Sequence, residues 1–295
     1  MHYHYGLNMK HFYILLISGL LLASSCEIIN PDEDMPAKIS INSVSFKAEP
    51  MQGTDSVDIQ DIWIYSDNDL VGAYQIPFTI PILANGNHNL TIRPGVILNG
   101  IAATRTINPF YTSINKVINL VPGEIFSFSP TFKYVDGVVF PWNSKGEEDF
   151  EEGGISIDSV SGSSTKIRKS KLDVYEGDYS GEIDLDAGHK TYRGQSSKEF
   201  NLPKSGAYVV MEMNVKNTQT PLYIGMYVYL PGNTVRDVSH MMVNPTTKWK
   251  KLYVNFTELV SYYPNAKSYR VSFKADLGSL DSAKIFIDNI KIMHF

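Results

Sequence analysis

The chain has 295 residues, 43% of them hydrophobic and 12% aromatic, and carries a formal charge of −5. That length holds one large core or two ordinary ones, and an acidic balance without any lysine–arginine block excludes a phosphate-neutralising nucleic-acid surface. The single cysteine, Cys26, excludes an intrachain disulfide framework and a Cys-based zinc cluster.

In chain order, the first element is an apolar run, FYILLISGLLL at 12–22, with Lys10 before it and Ala23, Ser24 and Ser25 after it. This is the basic, apolar, small-residue order of a secretory signal peptide, and the run is too short to cross a bilayer as a helix. Met9 is a candidate start. The segment LLASSC resembles the lipobox of bacterial lipoproteins, with Ala23 where many lipoboxes have Leu. That resemblance implies a signal peptide at 1–25, cleavage before Cys26, and lipidation of the Cys26 thiol as a membrane anchor. Residues 26–35 follow as an acidic tether with Glu27, Asp32, Glu33 and Asp34, a composition that stays solvated. The same acids resemble the export signal of Bacteroidetes-type surface lipoproteins. The implied location is the outer membrane, lipid-anchored and exposed at the cell surface.

Beyond the tether the pattern is all-β. Ile59–Tyr65 and Leu70–Ile76 read as a hairpin around the turn Ser66–Asp69. Asn89–Arg93, Lys116–Leu120 and Ile125–Tyr134 read as further strands, with Asn99-Gly100 as a hairpin turn, since both residues tolerate positive φ. Such spacing predicts a small β-sandwich over residues 36–140, and its Asp-turn hairpin and the segment NGNHNLTIRPG at 85–95 resemble the immunoglobulin-like modules of surface lipoproteins. Residues 141–149, PWNSKGEED, read as a linker.

The second unit, 150–295, opens with DFEEGG and contains VYEGDYSGEIDL, WKKLYVNF and KIFIDNIKI in that order. In that order they resemble the galactose-binding-like jelly roll of carbohydrate-binding modules, which implies a β-sandwich that recognises glycan. Strand alternation agrees with two sheets. Leu222, Ile224, Met226 and Val228 oppose Tyr223, Tyr227 and Tyr229; Met211 and Met213 oppose Glu212 and Asn214; Leu252 and Val254 oppose Tyr253; Val271 and Phe273 oppose Arg270.

That wetter face is the expected ligand site. Tyrosines two residues apart on a strand lie roughly 7 Å apart, and a Tyr ring covers the apolar face of a pyranose while its hydroxyl hydrogen-bonds. Tyr223, Tyr227, Tyr229 and Tyr253 supply rings, and Glu212, Asn214 and Arg270 supply polar contacts. The competing expectation is an assembly or adhesion protein in which the same tyrosines coat a sheet, seal a domain interface or dock a surface protein. By the jelly-roll resemblance, Glu151 and Asp288, with Asp149 nearby, would hold a structural calcium, which needs six to eight oxygens.

Catalytic signals are absent from the sequence. Asp55, Asp58 and Asp61 lack the glycine of a calcium loop, His88, His189, His240 and His294 form no close pair, and no nucleophile elbow, phosphate loop or dinucleotide fingerprint occurs. Acids such as Glu182, Asp184 and Glu199 have no spacing that singles out a glycosidase pair. Recognition without bond cleavage is therefore the expectation.

Overall fold

The structure is a computed structural model that describes residues 35–295. The expected signal peptide, Cys26 and the tether up to residue 34 lie outside the described residues. Within them strands dominate the regular structure, joined by long turns and loops, with one short α-helix at Thr257–Tyr262 and a 3-10 turn at Pro231–Asn233. No helix among them is long and apolar enough to cross a membrane.

The first half contains β1 (Ala37–Ile41), β2 (Ser45–Phe46), β3 (Asp61–Ser66), β4 (Asp69–Gln75), β5 (Phe78–Ile82), β6 (Gly86–Ile97), β7 (Arg105–Ile107), β8 (Ile114–Leu120), β9 (Ile125–Ser127) and β10 (Thr131–Phe132). One sheet runs β4-β3-β6-β7, with β8 also on β6, and it faces a β5-β1-β9 sheet and a β10-β2 ribbon. Between them are buried Ile39, Ile41, Ile62, Ile64, Leu90, Ile92 and Phe132. The β3–β4 turn is made by Asp67 and Asn68 at φ 52 and 77, the positive values that match hairpin twist. Asn99 and Gly100, at φ 53 and 64, turn the chain between β6 and β7. The single strand expected at Ile125–Tyr134 is instead two, because Pro130 has no N–H for a ladder. β9 pairs in parallel with β1, and β10 with β2.

The second half contains β11 (Ile157–Ser159), β12 (Arg168–Ser170), β13 (Ser180–Asp186), β14 (Thr191–Ser196), β15 (Val209–Asn217), β16 (Leu222–Leu230), β17 (Thr234–Val243), β18 (Thr246–Asn255), β19 (Ser268–Asp276) and β20 (Ser282–His294). They form two five-stranded sheets, β11-β14-β19-β16-β17 and β12-β13-β20-β15-β18. From β13 to β16 each strand changes sheet, as in a jelly roll. The period-2 pattern sends Met211, Met213, Ile224, Met226, Val254, Val271 and Phe273 into one core between the sheets. Each such burial stabilises by about 1.5–3 kcal/mol.

A bulge in β20 ties the halves together. The β15–β20 register shifts between Glu212 and Asn214, opposite Asn289 at φ 47. One extra residue reverses the alternation. Ile285 and Ile287 before it, and Ile290 and Ile292 after it, all enter the second core, whereas Met293 joins the first. Val210 and Tyr253 join the first core as well. Residues 141–149, expected as a linker, are packed. Trp142, Glu147 and Glu148 are buried, and the Trp142 indole donates to Ser156 Oγ at 2.7 Å.

Candidate functional site

The expected ligand residues divide between opposite sides of the second sandwich. Tyr223, Tyr227 and Tyr229 on β16 and Arg270 on β19 share the outer face of the β11-β14-β19-β16-β17 sheet, with Tyr227 directly opposite Arg270. Glu212 and Asn214 on β15 and Tyr253 on β18 belong to the other sheet and are at most 1% exposed. Alternation had placed them on a wet face. Their outer face is instead covered by the first sandwich, so they do not share a surface with the other tyrosines.

What they form is a buried polar seam. Glu212 accepts from Tyr111 Oη at 2.6 Å and faces Lys251 Nζ at 3.5 Å. Tyr253 Oη accepts the Asp58 N–H at 2.7 Å, and Ser56 Oγ donates to Asn214 Oδ1 at 3.2 Å. Lys291 donates to the carbonyls of Gln52 and Thr54 at 3.1 and 3.0 Å and faces Glu147 at 3.3 Å. Burial and then the Glu212 charge push the Tyr111, Tyr134 and Tyr253 phenols well above their usual range, so all three stay protonated, and Tyr111 and Tyr134 donate to Glu212. Burial pushes Lys251 down, against the pull of Glu212.

The tyrosine face is open to solvent and differently charged. Tyr223 is 36% exposed, and Tyr227 and Tyr229 are half-buried. Lys274 Nζ lies 5.5 Å from the Tyr227 ring centre, and the Arg270 guanidinium 5.9 Å from that of Tyr229. Each cation has its own carboxylate: Lys274 pairs with Asp237, Arg270 with Glu199 at 3.3 Å, and Arg193 with Asp276 at 2.6 Å. Tyr229 Oη reaches Gln195 Oε1 at 3.4 Å. Burial and then Asp237 push the Tyr227 phenol upward. Arg270 Nε and Ser272 Oγ are buried without a hydrogen-bond partner among the described residues. Such a surface can stack a ring and donate to hydroxyls without imposing net charge. Lys274, Gln195 and Asp237 were not among the expected site residues. Lys274 could have been found, since it shares the parity of Arg270.

The expected calcium residues lie around one loop. Glu151 Oε1 accepts the N–H groups of Asp178 and Tyr179, each at 2.9 Å. Asp288 Oδ2 accepts that of Glu176 at 3.3 Å, and burial pushes the Asp288 carboxyl up to about 7. Asp149 instead pairs with Lys145 at 3.4 Å. Among the described residues no group of three or more His, Cys, Asp or Glu is arranged to hold a metal ion.

No family model matches the chain, and no curated protein does. Solved structures do. A C-terminal family 22 carbohydrate-binding module from Clostridium thermocellum aligns over 50% of this chain and 92% of its own, with 14% identity and a TM-score of 0.38. A family 61 carbohydrate-binding module in complex with β-1,4-galactotriose aligns over 50% of this chain and 95% of its own, with 14% identity and a TM-score of 0.34. The enzymatically active domain of a tailspike protein from bacteriophage CBA120 aligns over 58% of this chain and 26% of its own, with 14% identity and a TM-score of 0.41. At such identities and TM-scores the likeness carries no argument about ligand, and the functional reading rests on the site itself.

Proposed function

We propose that the second sandwich is a non-catalytic glycan-recognition module, displayed at the cell surface through a lipid anchor on Cys26. Its contact surface is the face of Tyr223, Tyr227, Tyr229 and Arg270. The observation that carries this reading is that three rings lie on one solvent-facing side of a sheet, where the neighbouring cations Arg193, Arg270 and Lys274 are each matched by a carboxylate. That surface suits an uncharged, hydroxyl-rich partner better than a charged polymer. A second reading, docking of a surface protein, draws on Lys274 and Arg270 lying across two of the rings, which flattens the face.

The test is a glycan-array screen of the full chain, with Tyr227→Ala and Tyr229→Ala as paired variants, run with and without EDTA. Saturable binding that weakens at least tenfold in both variants is expected. The calcium is proposed as a brace for the loop held by Glu151 and Asp288, and it predicts weaker binding or a lower Tm in EDTA. No binding across a broad array would reject the glycan reading in favour of protein docking.

A further inference from the structure

Where the two sandwiches meet, a cleft of about 420 Å³ opens beside the buried seam, within the range of about 300–1,000 Å³ usual for ligand sites. Asp58 and Gly100 line it from the first sandwich, and Tyr175, Trp249, Lys250 and Lys251 line it from the second. Tyr175 is 42% exposed, and its ring meets that of Trp249 edge-on at 5.7 Å and 64°.

The aromatic wall is fixed in place. Trp249 Nε1 donates to Asp173 Oδ1 at 2.7 Å, and Asp173 is itself paired with Lys216. The indole edge is thereby satisfied and the ring held ready for stacking. Opposite it, Asp58 is anchored by its own N–H on Tyr253 Oη at 2.7 Å and by Gln60 Nε2 on Oδ1 at 2.6 Å. That leaves Asp58 Oδ2 without a donor among the described residues. At the base, the Lys251 ammonium makes only two long contacts, 3.4 Å to Asn214 Oδ1 and 3.5 Å to Glu212 Oε2. Asn214 Nδ2 beside it is buried with no partner. Buried donors of this kind are rarely left unmatched.

We propose that this cleft is a second saccharide site, built jointly by the two sandwiches, which takes a neutral pyranose stacked against Trp249 and Tyr175 with hydroxyls on Asp58 and Lys251. The class of ligand rests on the glycan reading of the second sandwich; the location does not. A ring hydroxyl donates to the Asp58 carboxylate and accepts from the Lys251 ammonium. An acidic sugar is disfavoured, because Asp58 repels a carboxylate and Glu212 already faces Lys251.

The indole N–H signals of the full chain report on this cleft directly, because Trp249 lines it while Trp142 is buried elsewhere and Trp63 lies on β3. The probes are xylohexaose, cellohexaose and β-1,4-galactotriose, titrated while the nitrogen-15 indole signals are recorded, with Trp249→Phe used for assignment. A saturable shift of the Trp249 signal is expected for at least one probe. It should weaken at least tenfold in Tyr175→Ala and in Asp58→Asn and be unchanged in Tyr227→Ala. A probe whose binding depends on Tyr227 but leaves Trp249 unmoved overturns the cleft and leaves the tyrosine face standing. A Trp249 shift that survives both cleft variants, or vanishes in Tyr227→Ala, also overturns it. Silence at both places with all three probes rejects the cleft and the glycan reading together.

Discussion

Lys291 is a fully buried cation that spans the two sandwiches, holding the Gln52 and Thr54 carbonyls and facing Glu147. Removing one partner of a buried pair leaves the other charge uncompensated, which costs about 3–5 kcal/mol. Lys291→Ala should therefore lose that much stability in urea denaturation, and Lys291→Met with Glu147→Gln should recover most of it. Equal losses in the single and double variants would mean that packing, not charge, is what Lys291 supplies. His88 offers a gentler case. Its Nδ1 lies 2.6 Å from Asp67 Oδ2, and that hydrogen bond raises the His88 pKa above 6.5, outweighing partial desolvation, which lowers it. A raised folded value means that the hairpin gains this contribution fully below about pH 6.5. The contribution is lost as pH rises through the folded value. Asp67, held low by the Asn89 N–H and then by His88, contributes above its ordinary value and loses that as pH falls through its own. An NMR titration should place His88 above 6.5 and return it there in Asp67→Asn; no difference between the two proteins would dissolve the pairing.

At the scale of the element, β16 and β17 meet at a bulge between Ile224 and Gly225. A Cβ on Gly225 would lie 2.1 Å from the Val238 carbonyl oxygen, which is backbone and cannot swing aside. Gly225→Ala should cost about 1–3 kcal/mol as overpacking and speed amide exchange along β17; unchanged exchange there would show that the bulge relaxes freely. The sequence announced some of this architecture and hid the rest. Period-2 alternation in β15, β16, β18 and β19 separated the apolar face of each strand from its polar face, and the Asp67-Asn68 and Asn99-Gly100 turns were visible because their φ values demand such residues. Alternation does not say which sheet a strand joins. Tyr253 and Glu212 thus seemed companions of Tyr227, although long-range pairing sends them to the far sheet. Nor does it distinguish water from a polar protein partner: Glu212 reads as wet, yet its partner Tyr111 lies 101 residues away. The Trp249 cleft was hidden for the same reason, since part of its lining comes from the other sandwich.

Across the whole molecule, the two cores are not independent. Val210, Tyr253 and Met293 from the second half complete the first core, and backbone hydrogen bonds join Val139 to His294 and Glu148 to Ile290. Unfolding the second half would strip those side chains from the first. Calorimetry should therefore show one cooperative transition, with matching calorimetric and van't Hoff enthalpies. Met293→Ala should lower its midpoint as a single event, by a cavity cost of about 2–5 kcal/mol. Two resolved transitions would refute this coupling.

The packing of 141–149 has a consequence for how the proposed glycan would be met. A receptor on a floppy string spends orientational freedom each time it captures its target. Here the hinge is occupied by Trp142, Glu147 and Glu148, all buried, and the sheet bearing Tyr223, Tyr227 and Tyr229 is the one turned away from the first sandwich. The aim of that surface is set by folding, before any encounter, so capture need not freeze a joint.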